Sequence, residues 1–304
     1  MGKTAFLFPG QGAQYLGMGK EIASNYESSK QIFNIANEAL GFDIEQICNK
    51  DEQMLNKTEY TQPAILTATI SILEAVKEHG LKADVVAGLS LGEYSALVAN
   101  KALDFRDAVT LVRKRGKYME EAVPNGKGSM AAVLGLKPEE VEKICSDVDG
   151  MVLPANYNCP GQIVIAGEVN ALNIACEKLE NAGARRVIKL NVSGPFHTPM
   201  LSSAAEKLSK ELDNIVVNEI EIPYITNVTA NYVNDFKDIK TLLTKQVVSP
   251  VRWEETINRM INDGVDTFVE IGPGKTLSAF MKKIDKTKTI INIQDLKSLN
   301  KLHT

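Results

Sequence analysis

Val85-Val86-Ala87-Gly88-Leu89-Ser90-Leu91-Gly92-Glu93-Tyr94-Ser95 is the stretch on which the fold turns. Val85 to Ala87 reads as a short buried strand, and an apolar helix follows through Val98. Between them lies the pattern G-x-S-x-G, in the strand-to-helix context that a nucleophile elbow requires. So sharp a corner brings neighbouring backbone close, which demands small residues two places before and two places after the serine. Ser90 is then held at the tip, hydroxyl outward, near the positive end of the following helix. The plainer alternative is a tight turn with a capping serine.

Outward from this corner, strands and helices alternate. Ala5 to Phe8 is an apolar run stopped by Pro9-Gly10 and suits a buried strand. Glu21 to Leu40 has helical spacing, with Gly41 as C-cap. Pro63 is expected in the first turn of a helix that carries Ile65, Leu66, Ile70, Leu73 and Val76 and ends at Gly80. This alternation reads as α/β with a mostly parallel sheet. The middle of the chain differs: strands are expected at Ser129–Leu134, Val152–Leu153, Gln162–Ile165 and Arg186–Leu190, with helices from Pro138 and from Asn170. That order, β-α-β-β-α-β, is the ferredoxin-like arrangement. Because α/β elements resume with a strand at Thr267–Ile271, it reads as a small domain inserted into a larger one.

Composition narrows the classes. The chain has 304 residues, 44% of them hydrophobic and 24% charged, which excludes disordered and fibrous classes. With 34 Lys+Arg against 38 Asp+Glu the net charge is −4, so no nucleic-acid partner is expected. The longest uncharged stretch, Met151 to Gly167, contains Pro154 and Pro160, so no membrane span is expected. The apolar run Ala5–Phe8 is too short for a signal-peptide core. Cys48, Cys145, Cys159 and Cys176 have no metal-ligand spacing and read as free thiols. A soluble, cytoplasmic protein without a metal is therefore expected.

Two phosphate-binding patterns fail. Gly10-Gln11-Gly12-Ala13-Gln14-Tyr15 has Tyr15 at the third glycine of a dinucleotide fingerprint, and the P-loop-like Gly274-Lys275-Thr276 lacks its leading glycine, with Val269 in that place. A serine nucleophile needs a base, and the chain has three histidines. His79 reads as a helix-end charge partner and His303 as part of a frayed tail. His197, in Ser193-Gly194-Pro195-Phe196-His197-Thr198-Pro199, sits in a loop stiffened by proline on both sides and is the candidate base. No aspartate for a full triad is identifiable. Gly10-Gln11-Gly12, after the first strand, offers backbone amides to an oxyanion, or is a plain turn of small residues. Arg113-Lys114-Arg115-Gly116-Lys117 is either a solvated helix face or carries one inward arginine able to grip a carboxylate; composition does not choose between the arginines.

Taken together, these residues resemble a known family, the malonyl-CoA:acyl carrier protein transacylases. The likeness runs through Phe8-Pro-Gly-Gln-Gly-Ala-Gln14, Thr61-Gln-Pro-Ala64, Gly88-Leu-Ser-Leu-Gly-Glu-Tyr-Ser95, Arg115-Gly-Lys-Tyr-Met119, Asn156-Tyr-Asn-Cys-Pro-Gly-Gln162, Gly194-Pro-Phe-His197, Pro250-Val-Arg-Trp253 and Glu270-Ile-Gly-Pro-Gly-Lys275. The resemblance implies a hydrolase-like parallel-sheet core, residues 1–126 and 194–304, with the ferredoxin-like insertion at 127–193. It implies Ser90 as nucleophile, His197 as base, the amides of Gln11 and Leu91 as oxyanion hole, and Arg115 as the grip on the malonyl carboxylate. Gln246 would orient the histidine in place of an aspartate, and Asn158 would lie near the substrate channel. One departure stands out: many members carry His before the nucleophile, where this chain has Leu89. Phe196, before His197, is the kind of bulky residue that accompanies malonyl over methylmalonyl in related acyltransferases.

The implied reaction is a ping-pong transfer of malonyl from malonyl-CoA to the phosphopantetheine thiol of acyl carrier protein, in fatty acid synthesis. The only prosthetic group belongs to the partner, no cofactor is expected in the chain, and a monomer is expected. A free-standing polyketide acyltransferase would use the same residues. A thioesterase or esterase would instead pass the acyl group to water, and a non-catalytic carrier-binding module would take no acyl group at all.

Overall fold

The computed structural model describes residues 2–303. In chain order the strands are β1 (Lys3–Phe8), β2 (Val85–Gly88), β3 (Gly128–Leu134), β4 (Val152–Cys159), β5 (Gln162–Glu168), β6 (Arg186–Lys189), β7 (Val265–Ile271) and β8 (Thr289–Ile293). They form two four-stranded sheets, ordered β2-β1-β7-β8 and β4-β5-β3-β6.

The first sheet is parallel throughout. β1 lies inside it, and its side chains alternate between two apolar cores: Phe6 and Phe8 face one, Ala5 and Leu7 the other. That is why Ala5–Phe8 reads as an unbroken apolar run. Phe8 is in register with Gly88, so β1 and β2 end side by side. The loops leaving them, Pro9–Gly12 and Leu89–Leu91, therefore emerge together at the carboxyl edge, where open α/β sheets bind ligands.

The second sheet is antiparallel, and the helices Pro138–Ser146 and Val169–Asn181 share an apolar cluster with its strands. Two backbone bonds tie its edge strand β4 to the segment after residue 250: Tyr157 N–H to Val251 O (2.9 Å) and Val251 N–H to Ala155 O (2.8 Å). At the other crossing Gly128 packs on Pro195, and a Cβ at position 128 would come within 2.4 Å of the proline ring.

Three local expectations need correcting. The helix with Pro63 runs from Thr58 to Glu78, so the proline sits inside it. Its start is set from a distance, where Thr58 N–H donates to the Glu120 carboxylate (2.7 Å). The helical stretch Glu21–Leu40 breaks at Tyr26, whose backbone is extended (φ −126°, ψ 121°), while its hydroxyl is 2.7 Å from His79 Nε2. The strand expected at Val152–Leu153 continues to Cys159, because an edge strand accommodates Pro154 at a register shift. The parallel strand β8 has no counterpart in the sequence reading.

Among the described residues no helix is long and apolar enough to cross a membrane, and no group of three or more His, Cys, Asp and Glu could hold a metal ion. The four cysteines are free and buried.

Candidate active site

At the end of β2 the chain turns so tightly that side chains are excluded on both sides. A Cβ at Gly88 would lie 1.8 Å from Gly92 O, and one at Gly92 would lie 2.1 Å from Phe8 O. Between them Ser90 adopts φ 53°, a left-handed conformation costly for a residue with a Cβ. Buried Asn227 holds the corner, its Oδ1 accepting from Ser90 N–H (2.6 Å) and its Nδ2 donating to Gly88 O (2.7 Å).

His197, also at positive φ (61°), is 3% exposed and reaches the serine across 107 positions of sequence. Its Nε2 is 2.8 Å from Ser90 Oγ, and its Nδ1 is 2.8 Å from the backbone carbonyl of Gln246. A carbonyl can only accept, so Nδ1 carries the proton and Nε2 presents its lone pair to the serine hydroxyl. Burial pushes the imidazole pKa down to about 4, and the nearby Arg115 charge adds to the drop.

Of the basic run on the helix Phe105–Ala122, Arg115 is the residue turned inward, 1% exposed. Gly116 beside it allows that approach: a Cβ there would lie 2.4 Å from Thr58 O. The guanidinium donates to Gln62 Oε1 (2.8 Å), Gln246 Oε1 (3.0 Å) and Ser90 Oγ (3.2 Å), all neutral acceptors. Its face lies over the Tyr94 ring, 5.4 Å from the centroid. A buried cation whose direct partners are neutral is a costly arrangement that an incoming carboxylate would complete.

The backbone N–H groups of Gln11 and Leu91 form no hydrogen bond among the described residues. Leu91 sits at the N-cap of the helix Gly92–Ala99, and the side chain of Gln11 is tied to Thr58 Oγ1 (3.2 Å). Two free donors at adjoining strand ends can receive a developing negative charge. A cleft of about 730 Å³ opens beside Ser90, and Gln11, Ser90, Arg115, Asn158 and His197 all line it, while Leu91 is buried and does not. Its far wall comes from the antiparallel sheet and its exit, with Met130, Val164 and Val192, while Leu89 and Phe196 border the serine side. The side chain of His303 lies outside the described part of the structure; His79 is far along the fold, at the end of the helix Thr58–Glu78.

Three residues of this constellation, Asn227, Glu93 and Gln62, had no role in the sequence reading, and Gln246, expected to orient the histidine, has a second contact that was not expected. Asn227 and Glu93 hold the corner, Gln62 holds Arg115, and Gln246 meets the histidine through its backbone while its side chain joins Arg115 to Glu93 (Nε2 to Glu93 Oε2, 2.6 Å). Gln62 lies in the quoted motif Thr61–Ala64, which was its only signal; Asn227 had none.

A serine hydroxyl with an imidazole acceptor, two unpaired amides and a buried guanidinium, on the carboxyl edge of a parallel sheet, defines an α/β enzyme of the acyl-transfer class. The chain belongs to the acyl transferase family, whose model, described as "Acyl transferase domain", matches residues 5–303. It is 47% identical over 299 residues to the malonyl CoA-acyl carrier protein transacylase of Bacillus subtilis (strain 168), covering 97% of this chain and 94% of that one. Among solved structures, the malonyl CoA-acyl carrier protein transacylase of Clostridium perfringens ATCC 13124 superposes with TM-score 0.96 at 51% identity, covering 99% of this chain and 96% of that one. A malonyl-transacylase solved in complex with its type II PKS acyl-carrier protein matches with TM-score 0.96 at 39% identity, over 98% of each chain.

Proposed function

We propose that this acyltransferase moves a malonyl group from malonyl-CoA to the phosphopantetheine thiol of an acyl carrier protein, by way of a malonyl ester on Ser90, in fatty acid biosynthesis. In the first half-reaction His197 Nε2 takes the Ser90 proton as Oγ attacks the thioester carbonyl. The amides of Gln11 and Leu91 receive the oxyanion; each such donor contributes roughly 3–4 kcal/mol in comparable sites. The C–S bond breaks, and the CoA thiolate leaves with the proton from His197. In the second half-reaction the carrier thiol gives its proton to His197 and attacks the ester carbonyl. The Ser90–acyl bond breaks and the proton returns to Oγ.

The observation that carries this reading is the Arg115 guanidinium, buried, directly bonded to neutral groups and 3.2 Å from Ser90 Oγ. An acyl chain on the serine that ends in a carboxylate would meet it with two charge-assisted bonds. Asn158 is assigned to the channel wall. Gln246 is assigned as the residue that orients His197, through its carbonyl. The fold is proposed as a hydrolase-like core, residues 1–126 and 194–304, with a ferredoxin-like insertion at 127–193; the strand order β4-β5-β3-β6 and the alternation of helices and strands support it. The same reading places a cytoplasmic monomer that works without a cofactor of its own.

The test is incubation with malonyl-CoA alone, followed by peptide mapping. Malonate on the peptide containing Ser90, released onto a holo carrier protein, is the expected result. Rapid release to water without carrier transfer supports a thioesterase, and no covalent label supports a binding module. Replacing Arg115 with Ala should raise acetyl transfer relative to malonyl; an unchanged ratio removes Arg115 from its assigned role.

A further inference from the structure

One buried acid stands outside the reaction described above. Glu93 lies three positions after the nucleophile, in the first turn of the helix Gly92–Ala99, and is fully buried. Its carboxylate accepts from the Tyr224 hydroxyl, from Gln246 Nε2 (2.6 Å) and from Asn227 N–H (3.2 Å). Burial raises its pKa, and these donors oppose the rise.

The amide of Gln246 is the joint between this acid and the rest of the site. Its Oε1 accepts from Arg115 Nη2 (3.0 Å), and its Nε2 donates both to Glu93 and to Ser90 O (3.0 Å). An amide can turn end for end unless its neighbours demand one orientation. A guanidinium only donates and a carboxylate only accepts, so between Arg115 and Glu93 the amide has a single arrangement. The backbone carbonyl of the same glutamine receives the His197 proton. Glu93 also supplies the negative charge that the directly bonded partners of Arg115 lack.

We propose that Glu93 is a positioning residue for acyl selectivity: through the Gln246 amide its carboxylate holds the Arg115 guanidinium at the acyl end of Ser90, favouring acyl groups that end in a carboxylate. The proposal rests on the malonyl-transfer reading and deepens it. A purely structural Glu93 would support every substrate equally. A positioning Glu93 acts on the carboxylate-bearing one through Arg115, and the two effects are therefore coupled.

The experiment measures acylation of Ser90 by malonyl-CoA and by acetyl-CoA in the full chain, for wild type, Glu93→Gln, Arg115→Ala and the double variant. Glu93→Gln is expected to lower the malonyl-to-acetyl ratio about tenfold, mostly through a higher KM for malonyl-CoA, and to lower acetyl acylation much less. In the double variant the ratio should equal that of Arg115→Ala alone. Equal loss on both substrates, or independent effects that multiply in the double variant, overturns the proposal. If Glu93→Gln does not fold, Tyr224→Phe serves, since it strips one donor and keeps the carboxylate. It should lower the ratio about two- to threefold, and an unchanged ratio in the folded variant overturns the proposal. A wild-type chain that takes no malonyl refutes the transfer reading itself. A malonyl-selective wild type with an unaltered ratio in Glu93→Gln refutes only the role of Glu93.

Discussion

Ser90 and His197 both occupy left-handed backbone conformations (φ 53° and 61°) with their reacting atoms 2.8 Å apart. Such strain persists only where the surroundings over-determine it, and here Asn227 and Gln246 do so. The partner of His197 Nδ1 is a carbonyl rather than a carboxylate, so the imidazole is oriented without being charged, and burial holds its pKa to about 4. The imidazole is therefore neutral, with Nε2 free to accept a proton, over most of the working range. Acylation of Ser90 should stay level from pH 8 to pH 5 and fall only towards about pH 4, as measured by rapid-quench labelling. Stability follows with a definite sign. Between about pH 4 and the ordinary value of 6.5, His197 binds a proton in the unfolded chain but not in the folded one. Unfolding free energy contributed by this group thus declines as pH falls through that window and levels off below it. At this scale Ser90 was legible because its signal is local, five residues long, and His197 because only two other histidines compete with it. Arg115 was confined to a basic run but not singled out by composition. The orienting function of the Gln246 carbonyl was illegible from the residues alone, since any amino acid has a backbone carbonyl.

The strand–corner–helix element around Ser90 is closed by contacts that tolerate no added carbon. With Gly92 O only 1.8 Å from a Cβ built at position 88, replacing Gly88 with Ala should cost roughly 4 kcal/mol or more, or prevent folding. Denaturant unfolding measures it; a loss below about 1 kcal/mol would mean the corner is looser than the contacts indicate. The Asn227 clamp is the milder probe. Removing its amide leaves Ser90 N–H and Gly88 O without those partners, each at a cost of about 1–3 kcal/mol. Asn227→Ala should thus lower the unfolding temperature and slow Ser90 labelling together, and normal labelling at full stability would exclude the clamp. Elements whose ends are set locally read well from sequence: Gly41 closes its helix in a left-handed conformation, and Pro138 opens its own. The ends misread are those set from afar. Glu120 places the start at Thr58, and the tie of Tyr26 to His79 accompanies a break with neither glycine nor proline. β8 gains its place by pairing with β7, a partner that its own residues do not announce.

At the scale of the whole molecule, parallel alignment of β2, β1 and β7 gathers the chemistry on one edge, and the antiparallel sheet supplies the opposite wall. The two sheets were legible from the sequence because the spacing of strands and helices changes between Leu134 and Lys189. The cleft between them was not, since its walls come from segments far apart in sequence. With a net charge of −4 the chain as a whole would repel a carrier protein that is itself acidic, and docking of such a partner would have to be local. Two exposed basic clusters are candidates, Lys282, Lys283 and Lys286, or Arg185, Arg186 and Lys189. Lys283 reaches Gln162 on the cleft wall (2.9 Å). Reversing the charges of either cluster should raise the apparent KM for the carrier and leave hydrolysis of malonyl-CoA untouched; if neither does, the docking face lies elsewhere.

The division of the cleft between two sheets has an evolutionary reading. The side that presents the serine is locked by glycine packing and can hardly vary without collapse. On the other side the residues that face the cleft, Met130, Val164 and Val192, are not glycines and stand outside such contacts, which there fall on Gly128 and Gly167. Descendants of such a chain can therefore remodel the room offered to the acyl group by drift in one sheet, while the attacking hydroxyl is inherited intact from the other.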